Sequence, residues 1–215
     1  MLLFYRMPNF DELLTIALRK NNHTLSNGAR DKLARYLELL HTWNRSFNLT
    51  SITEPAEMVS LHIMDSLAVA PYLQGQRALD VGSGAGLPGI PLAIACPETN
   101  WTLLDKNGKK TRFLTQVIAE LGLQNIKAVH SRCEDFQPSV CFDSILSRAF
   151  GSLALFVETT AHLLCSNGIF IAMKGKYPDE ELAELPNRFI TQHVTRLEIK
   201  GIMAERHIVC IGRSE

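Results

Sequence analysis

Gly82, Gly84 and Gly86 stand at alternate positions in the stretch LDVGSGAGLPGIPLA, directly after an apolar segment with strand character. Glycine tolerates positive φ and lets a ligand approach the main chain closely. The helix start that follows offers unpaired N–H groups, which favour negative charge, and Pro88 suits its first turn. Asp105 lies 23 positions after Gly82, at the end of the next strand-like run, WTLLD. An acid there is placed to accept hydrogen bonds from ribose hydroxyls. Together these residues predict a site for a nucleoside-containing cofactor. The dinucleotide fingerprint G-x-G-x-x-G is only partly met, because Leu87 stands where the third glycine belongs.

Positive residues gather at the same predicted edge. Lys106, Lys109, Lys110 and Arg112 follow the second strand, Arg148 the fourth, and Lys174 and Lys176 the fifth. Cations around a mouth can hold phosphates in an otherwise neutral protein; a solvated helix face is the competing explanation for Lys110 and Arg112. His62 and Asp65 sit about one helical turn apart and share a face, as a packing pair or as a contact to ligand. Trp43 and Phe47 could stack on a base, but their helical spacing fits core packing better. Glu205, Arg206 and His207 open the last strand, to face a partner or to close the sheet edge.

These residues need a frame. Strands are expected at 78–81, 101–105, 126–130, 142–147 and 169–174, with helices at 88–96, 108–121 and 152–164, the last stopped by Gly168. Such alternation implies a parallel sheet covered on both faces. The tail, FITQHVTRLEIK then RHIVCIG, reads as an antiparallel hairpin at the sheet edge. Before residue 75 the pattern is helical. Asn9 caps a first helix, with Asp11 and Glu12 in its first turn. Leu33, Tyr36, Leu37, Leu40, Trp43 and Phe47 mark one face of a second. Thr53-Glu54-Pro55 opens a third through EMVSLHIMDSLAVA. Residues 1–74 are thus expected to form a helical extension packed on a core of residues 75–215.

The 215 residues suit such an organisation, and 46% hydrophobic content supports a core. No apolar run is long enough to span a bilayer, and MLLFYRMPNFDELL lacks the build of a signal peptide. A cytoplasmic monomer is expected. A formal net charge of +0 means that any nucleic acid is held by a local patch. Cys96, Cys133, Cys141, Cys165 and Cys210 are odd in number, dispersed and without a C-x-x-C pair. They predict buried reduced thiols, with no disulfide framework and no metal site.

HIMDS (62–66), DVGSGAGLPGIPLA (80–93), LLDKNGKKTRFL (103–114), SRCEDF (131–136), SRAF (147–150), MKG (173–175) and ERHIV (205–209) occur in this order. The set resembles the ribosomal RNA small subunit methyltransferase G family, also called glucose-inhibited division protein B, over nearly the whole chain. The resemblance implies an α/β, Rossmann-like class I S-adenosylmethionine-dependent methyltransferase fold. Its sheet would be seven-stranded and mostly parallel, with an antiparallel C-terminal hairpin and an N-terminal helical extension. It implies S-adenosyl-L-methionine as cofactor, 16S rRNA or the small ribosomal subunit as partner, and methylation of guanine N7. By residue, it implies cofactor contacts at Gly82, Leu87, Asp105, Cys133, Glu134 and Arg148. Cys133 would act through its backbone, and Arg148 would position cofactor and base. Lys106, Lys109, Lys174, Lys176 and Arg206 are the RNA-binding candidates. Family members often carry Gly where this chain has Ala204, which puts in doubt any turn needing positive φ there. Two readings compete: a nicotinamide-dependent dehydrogenase, disfavoured by Leu87 and by the little room for a substrate domain, and a non-catalytic RNA-binding module, disfavoured by the intact loop and Asp105.

Overall fold

The computed structural model describes residues 8–214. The reading of the segment before Pro8 as no signal peptide lies outside the described residues. Helix α1 (Phe10–Lys20) starts at Asn9, whose side chain accepts the Glu12 N–H, and α2 (Asn27–Phe47) starts at Ser26, which accepts the Ala29 N–H. Each cap satisfies a donor that the first turn leaves unpaired. Helix α3 (Pro55–Met58) has proline at its start. It runs into a π-helical turn (Val59–Met64) and then α4 (Asp65–Leu67), so the third predicted helix exists but is wound irregularly in its middle.

From residue 77 the chain alternates: β1 (Arg77–Val81), α5 (Gly89–Ala95), β2 (Asn100–Asp105), α6 (Gly108–Glu120), β3 (Ile126–His130), β4 (Phe142–Arg148), α7 (Leu153–Thr160), β5 (Leu164–Lys174). A short α8 (Asp179–Ala183), absent from the sequence reading, precedes β6 (Phe189–Arg196) and β7 (His207–Arg213). The seven strands lie in the order β3-β2-β1-β4-β5-β7-β6. All pairings are parallel except β5 with β7 and β7 with β6. The strand order reverses at β1, between β2 and β4, and a ligand is expected outside the strands' carboxyl ends at such a point.

Alternate side chains of one strand enter opposite cores, as the two-residue strand period requires. Ala78, Leu103, Leu146 and Ile171 join a cluster with α1, α2, α5 and α6. Leu79, Leu104, Ile145 and Phe170 join a second cluster with α7. The helices before β1 complete the first layer. Tyr36 is fully buried there and its hydroxyl donates to the Ala85 carbonyl at 2.9 Å, tying α2 to the glycine loop. Trp43 packs on Phe113 of α6, with ring centroids 5.5 Å apart, as its core reading required, whereas Phe47, read the same way, stacks on Trp43 but is exposed at the end of α2.

Two expectations are corrected. Gly168 does not stop a helix: α7 ends at Thr160, a 3-10 turn spans Ala161–Leu163, and Gly168 lies inside β5. A Cβ at 168 would approach Leu164 Cδ1 to 2.7 Å and the Asp143 carbonyl to 3.0 Å, so glycine serves a close approach at the irregular β4–β5 register. Cys141 and Cys165 are not reduced thiols but a disulfide, with Cα atoms 5.0 Å apart. Pairing of Phe142 with Leu164 brings their neighbours together across 24 positions. Cys96, Cys133 and Cys210 are free. Ala204 needs no positive φ; Gly201, at φ 100, turns that loop instead.

Gly89 opens α5 against β2. A Cβ there would overlap Leu103 and lie 2.8 Å from Asp80 Oδ2, whereas one at Gly28 would meet nothing within 4 Å. Gly89→Ala is expected to destabilise the fold by about 1–3 kcal/mol. Gly28→Ala is expected to leave stability unchanged or raise it by up to ~1 kcal/mol. Urea unfolding midpoints of the two variants check this.

Candidate functional site

Two pockets open at the carboxyl edge of the sheet. The first, of about 360 Å³, is bordered by Gly82 after β1, by Asp105 and Lys106 at the end of β2, and by Cys133 and Glu134 after β3. Asp105 is 6% exposed. Its Oδ2 accepts the Gly84 N–H at 2.8 Å and its Oδ1 accepts the Asn107 N–H at 2.8 Å. One carboxylate thus fixes both the glycine loop and the start of α6. Each oxygen keeps lone-pair capacity for a hydroxyl from the pocket. The loop itself holds Gly82, Gly84 and Gly86 at φ 70, 59 and 91. The Gly82 and Ser83 N–H groups both donate to the Leu104 carbonyl, so the turn is pinned to β2.

Beneath the loop lies Asp80, fully buried, whose Oδ2 accepts the Gly89 N–H at 3.0 Å while Oδ1 has no hydrogen-bond partner. Burial pushes its carboxyl up to about 7, against the opposing pull of the Gly89 N–H and of Arg148. Leu87 is 3% exposed and belongs to the core under the loop rather than to the pocket lining. Cys133 is buried and its Sγ donates to Glu134 Oε2 at 3.1 Å. Burial, reinforced by Glu134, holds the thiol above its usual range, which does not favour a thiolate.

The second pocket, of about 430 Å³, collects Thr50, His62, Asp65, Arg148, Lys174 and Arg206. Asn44 clamps Thr50 by accepting its N–H and donating to its carbonyl, each at 2.9 Å. Thr50 Oγ1 lies 3.0 Å from His62 Nε2. Burial first, then the Arg148 charge, lowers His62 to about 4, so its imidazole is neutral at pH 7. Asp65 is 3% exposed and is shared by two arginines, with Arg206 Nε at 3.2 Å and Arg148 Nη1 at 3.7 Å. Burial raises the Asp65 pKa and both arginines oppose the rise. Arg148 also donates to the Leu61 carbonyl at 3.1 Å. The start of α4, the end of β4 and the residue before β7 therefore meet at one carboxylate.

Of the predicted cofactor residues, Gly82, Asp105, Cys133 and Glu134 come together in the first pocket. Arg148 does not; it borders the second. Among the predicted RNA-binding cations, Lys106 borders the first pocket and Arg206 the second, but Arg206 is paired with Asp65. The Lys174 ammonium is engaged internally, by Glu181 Oε1 and Oε2 at 2.9 and 2.6 Å and by the Gly151 carbonyl at 2.7 Å. Lys109 is exposed outside both pockets, and Lys176 borders a neighbouring surface groove. Sequence reasoning missed Phe150, Leu155 and Thr159 in the first pocket, and Thr50 in the second. Leu155 and Thr159 lie on α7, whose sequence pattern signals only packing.

Residues 29–209 match the model of a family described as rRNA small subunit methyltransferase G (GidB). The chain belongs to this family. It is 50% identical over 204 residues to the Ribosomal RNA small subunit methyltransferase G of Laribacter hongkongensis (strain HLHK9), covering 95% of this chain and 99% of that one. To the protein of the same name from Hahella chejuensis (strain KCTC 2396) it is 47% identical over 206 residues, covering 96% and 95%. Among solved structures it is similar to the glycopeptide N-methyltransferase MtfA complexed with S-adenosyl-L-methionine. That match has a TM-score of 0.62 and 12% identity, over 72% of this chain and 88% of that one. At that identity the likeness concerns the fold, a Rossmann-like class I methyltransferase sheet. Among the described residues, no helix is long and apolar enough to cross a membrane, and no group of three or more His, Cys, Asp or Glu side chains is placed to hold a metal ion.

Asp80 makes stability depend on pH with a definite sign. Its folded-state pKa lies above its unfolded value, so the folded protein binds the extra proton between about pH 4 and 7. Its contribution is therefore fully present below the unfolded pKa and is lost as pH rises through the folded one. The stability of the wild type relative to Asp80→Asn is expected to fall across that window and level off above it. Urea unfolding of both proteins at several pH values measures the difference, and a flat or rising difference would contradict the assignment.

Proposed function

We propose that this chain transfers a methyl group from S-adenosyl-L-methionine to N7 of a guanine in 16S rRNA, with the first pocket holding cofactor and the second the base. The observation that carries the reading is the adjacency of the two pockets, which share Ala149 just after β4, in a member of the rRNA small subunit methyltransferase G family. The residues fit the cofactor. Asp105 faces the first pocket with lone pairs to spare for ribose hydroxyls, and a Cβ at Gly82 would meet only Phe150, at 3.5 Å, so the loop's backbone lies open to a ligand. Cys133 and Glu134 would border the adenine, and Leu87 would support the loop from below. When bound, the cofactor supplies an electrophilic methyl on a positively charged sulfur that leaves as a neutral thioether.

Guanine N7 carries a free lone pair and no proton at neutral pH. The new bond is N7–CH3, the broken bond is S–CH3, and the positive charge passes from sulfur to the base. No strong general base is needed, and the His62 imidazole in the second pocket, lowered to about 4, is a poor proton acceptor. What these residues do is orient and exclude water. Arg148, fixed by Leu61 and Asp65, holds the edge of the base pocket, and Asp65 is the one acid bordering it among the described residues. Lys106, Lys109, Lys176 and Arg206 are the cations proposed to meet RNA phosphates, with Lys174 bracing the wall through Glu181. The partner is 16S rRNA or the small subunit, and the working unit a monomer.

Methyl transfer from labelled cofactor to 16S rRNA tests the assignment. Arg148→Ala is expected to slow transfer about 100-fold, with circular dichroism unchanged; an unaltered rate would defeat its role. Asp105→Ala is expected to weaken cofactor binding about tenfold or more, for the loss of one or two charge-assisted hydrogen bonds. Calorimetric affinity equal to wild type would remove the first pocket from the cofactor.

A further inference from the structure

Ala149 is the residue common to the linings of both pockets, and it is exposed. Its φ is 61°, in the left-handed region that costs any residue with a Cβ. Glycine would adopt this conformation freely, yet the chain carries a methyl group here. The neighbours show what the turn accomplishes. Along an extended strand, residues two apart point to the same side. Arg148 and Phe150 are two apart and do not. Arg148 reaches Leu61 and Asp65 at the second pocket, whereas Phe150 borders the first, against Phe156 and above Gly82. The left-handed residue between them breaks the alternation and sends one side chain to each pocket.

We infer that Ala149 is a positioning residue: its left-handed backbone and its methyl group form the partition that holds the contents of the two pockets in line. This rests on the reading of the pockets as cofactor and base sites. Strain retained at the junction of two sites is a form of preorganisation. Glycine at 149 keeps the left-handed turn available but also allows the extended conformation, so the partition becomes one of several local states. Valine, branched at Cβ, strongly disfavours positive φ and drives the chain toward the extended form, which turns Phe150 toward the side of Arg148.

Three variants separate this from a purely structural role. Melting temperatures without ligand are expected in the order Ala149→Gly equal to or above wild type, and Ala149→Val below it by several degrees. Despite its stability, Ala149→Gly is expected to lower kcat for methyl transfer about tenfold, with KM for RNA and calorimetric Kd for S-adenosylhomocysteine within about twofold of wild type. Ala149→Ser, which keeps a Cβ of similar size, is expected to retain kcat. A Gly variant with wild-type kcat would overturn the inference, as would one that melts below wild type, or a series in which kcat simply follows melting temperature. Failure of the wild type itself to methylate 16S rRNA would instead remove the reading of the pockets, and this inference with it.

Discussion

The Asp105 carboxylate is the constraint on which the site depends. Its two oxygens take the Gly84 and Asn107 N–H groups, so the loop after β1 and the helix after β2 are held by one side chain. A loop built from residues at positive φ has little preference of its own for one shape. Its form comes from what grips it: Asp105 at one side, the Leu104 carbonyl below, and Tyr36 reaching from α2 to Ala85. The helices before β1 thus belong to the architecture of the loop, which explains why they carry a fully buried tyrosine toward it.

A second carboxylate organises the other pocket by different physics. Asp65 is buried and its charge is balanced by Arg148 at the end of β4 and by Arg206 just before β7. Removing either arginine leaves a buried charge less compensated, which is costly in a low-dielectric setting. Those arginines are therefore held by folding as well as available to a ligand at the pocket mouth. Lys174 shows the limit of reading function from charge alone, since its ammonium is engaged by Glu181 and a carbonyl.

The sheet was legible because two-residue alternation and the spacing of turns are local signals, and the five parallel strands and the hairpin stand within a few residues of their expected bounds. That Gly82, Asp105, Cys133 and Glu134 border one pocket was legible because they lie at or shortly after the carboxyl ends of β1, β2 and β3, which share an edge. What was not legible required three dimensions. Gly168 has the same sequence appearance whether it ends a helix or relieves a close approach inside β5. The Cys141–Cys165 pairing depends on the β4–β5 register. The resemblance put Arg148 with Gly82 and Asp105, but its side chain borders the neighbouring pocket, beside a left-handed residue that turns the chain after β4.

The central claim is that the paired pockets place a guanine N7 of 16S rRNA against the cofactor. Mapping chemical cleavage at N7-methylated guanines in 16S rRNA, from cells with and without this gene, tests it most directly. The account predicts one cleavage position lost with the gene and restored by the wild type but not by Asp105→Ala. An identical cleavage pattern in both cells, or full restoration by the Asp105 variant, would contradict it.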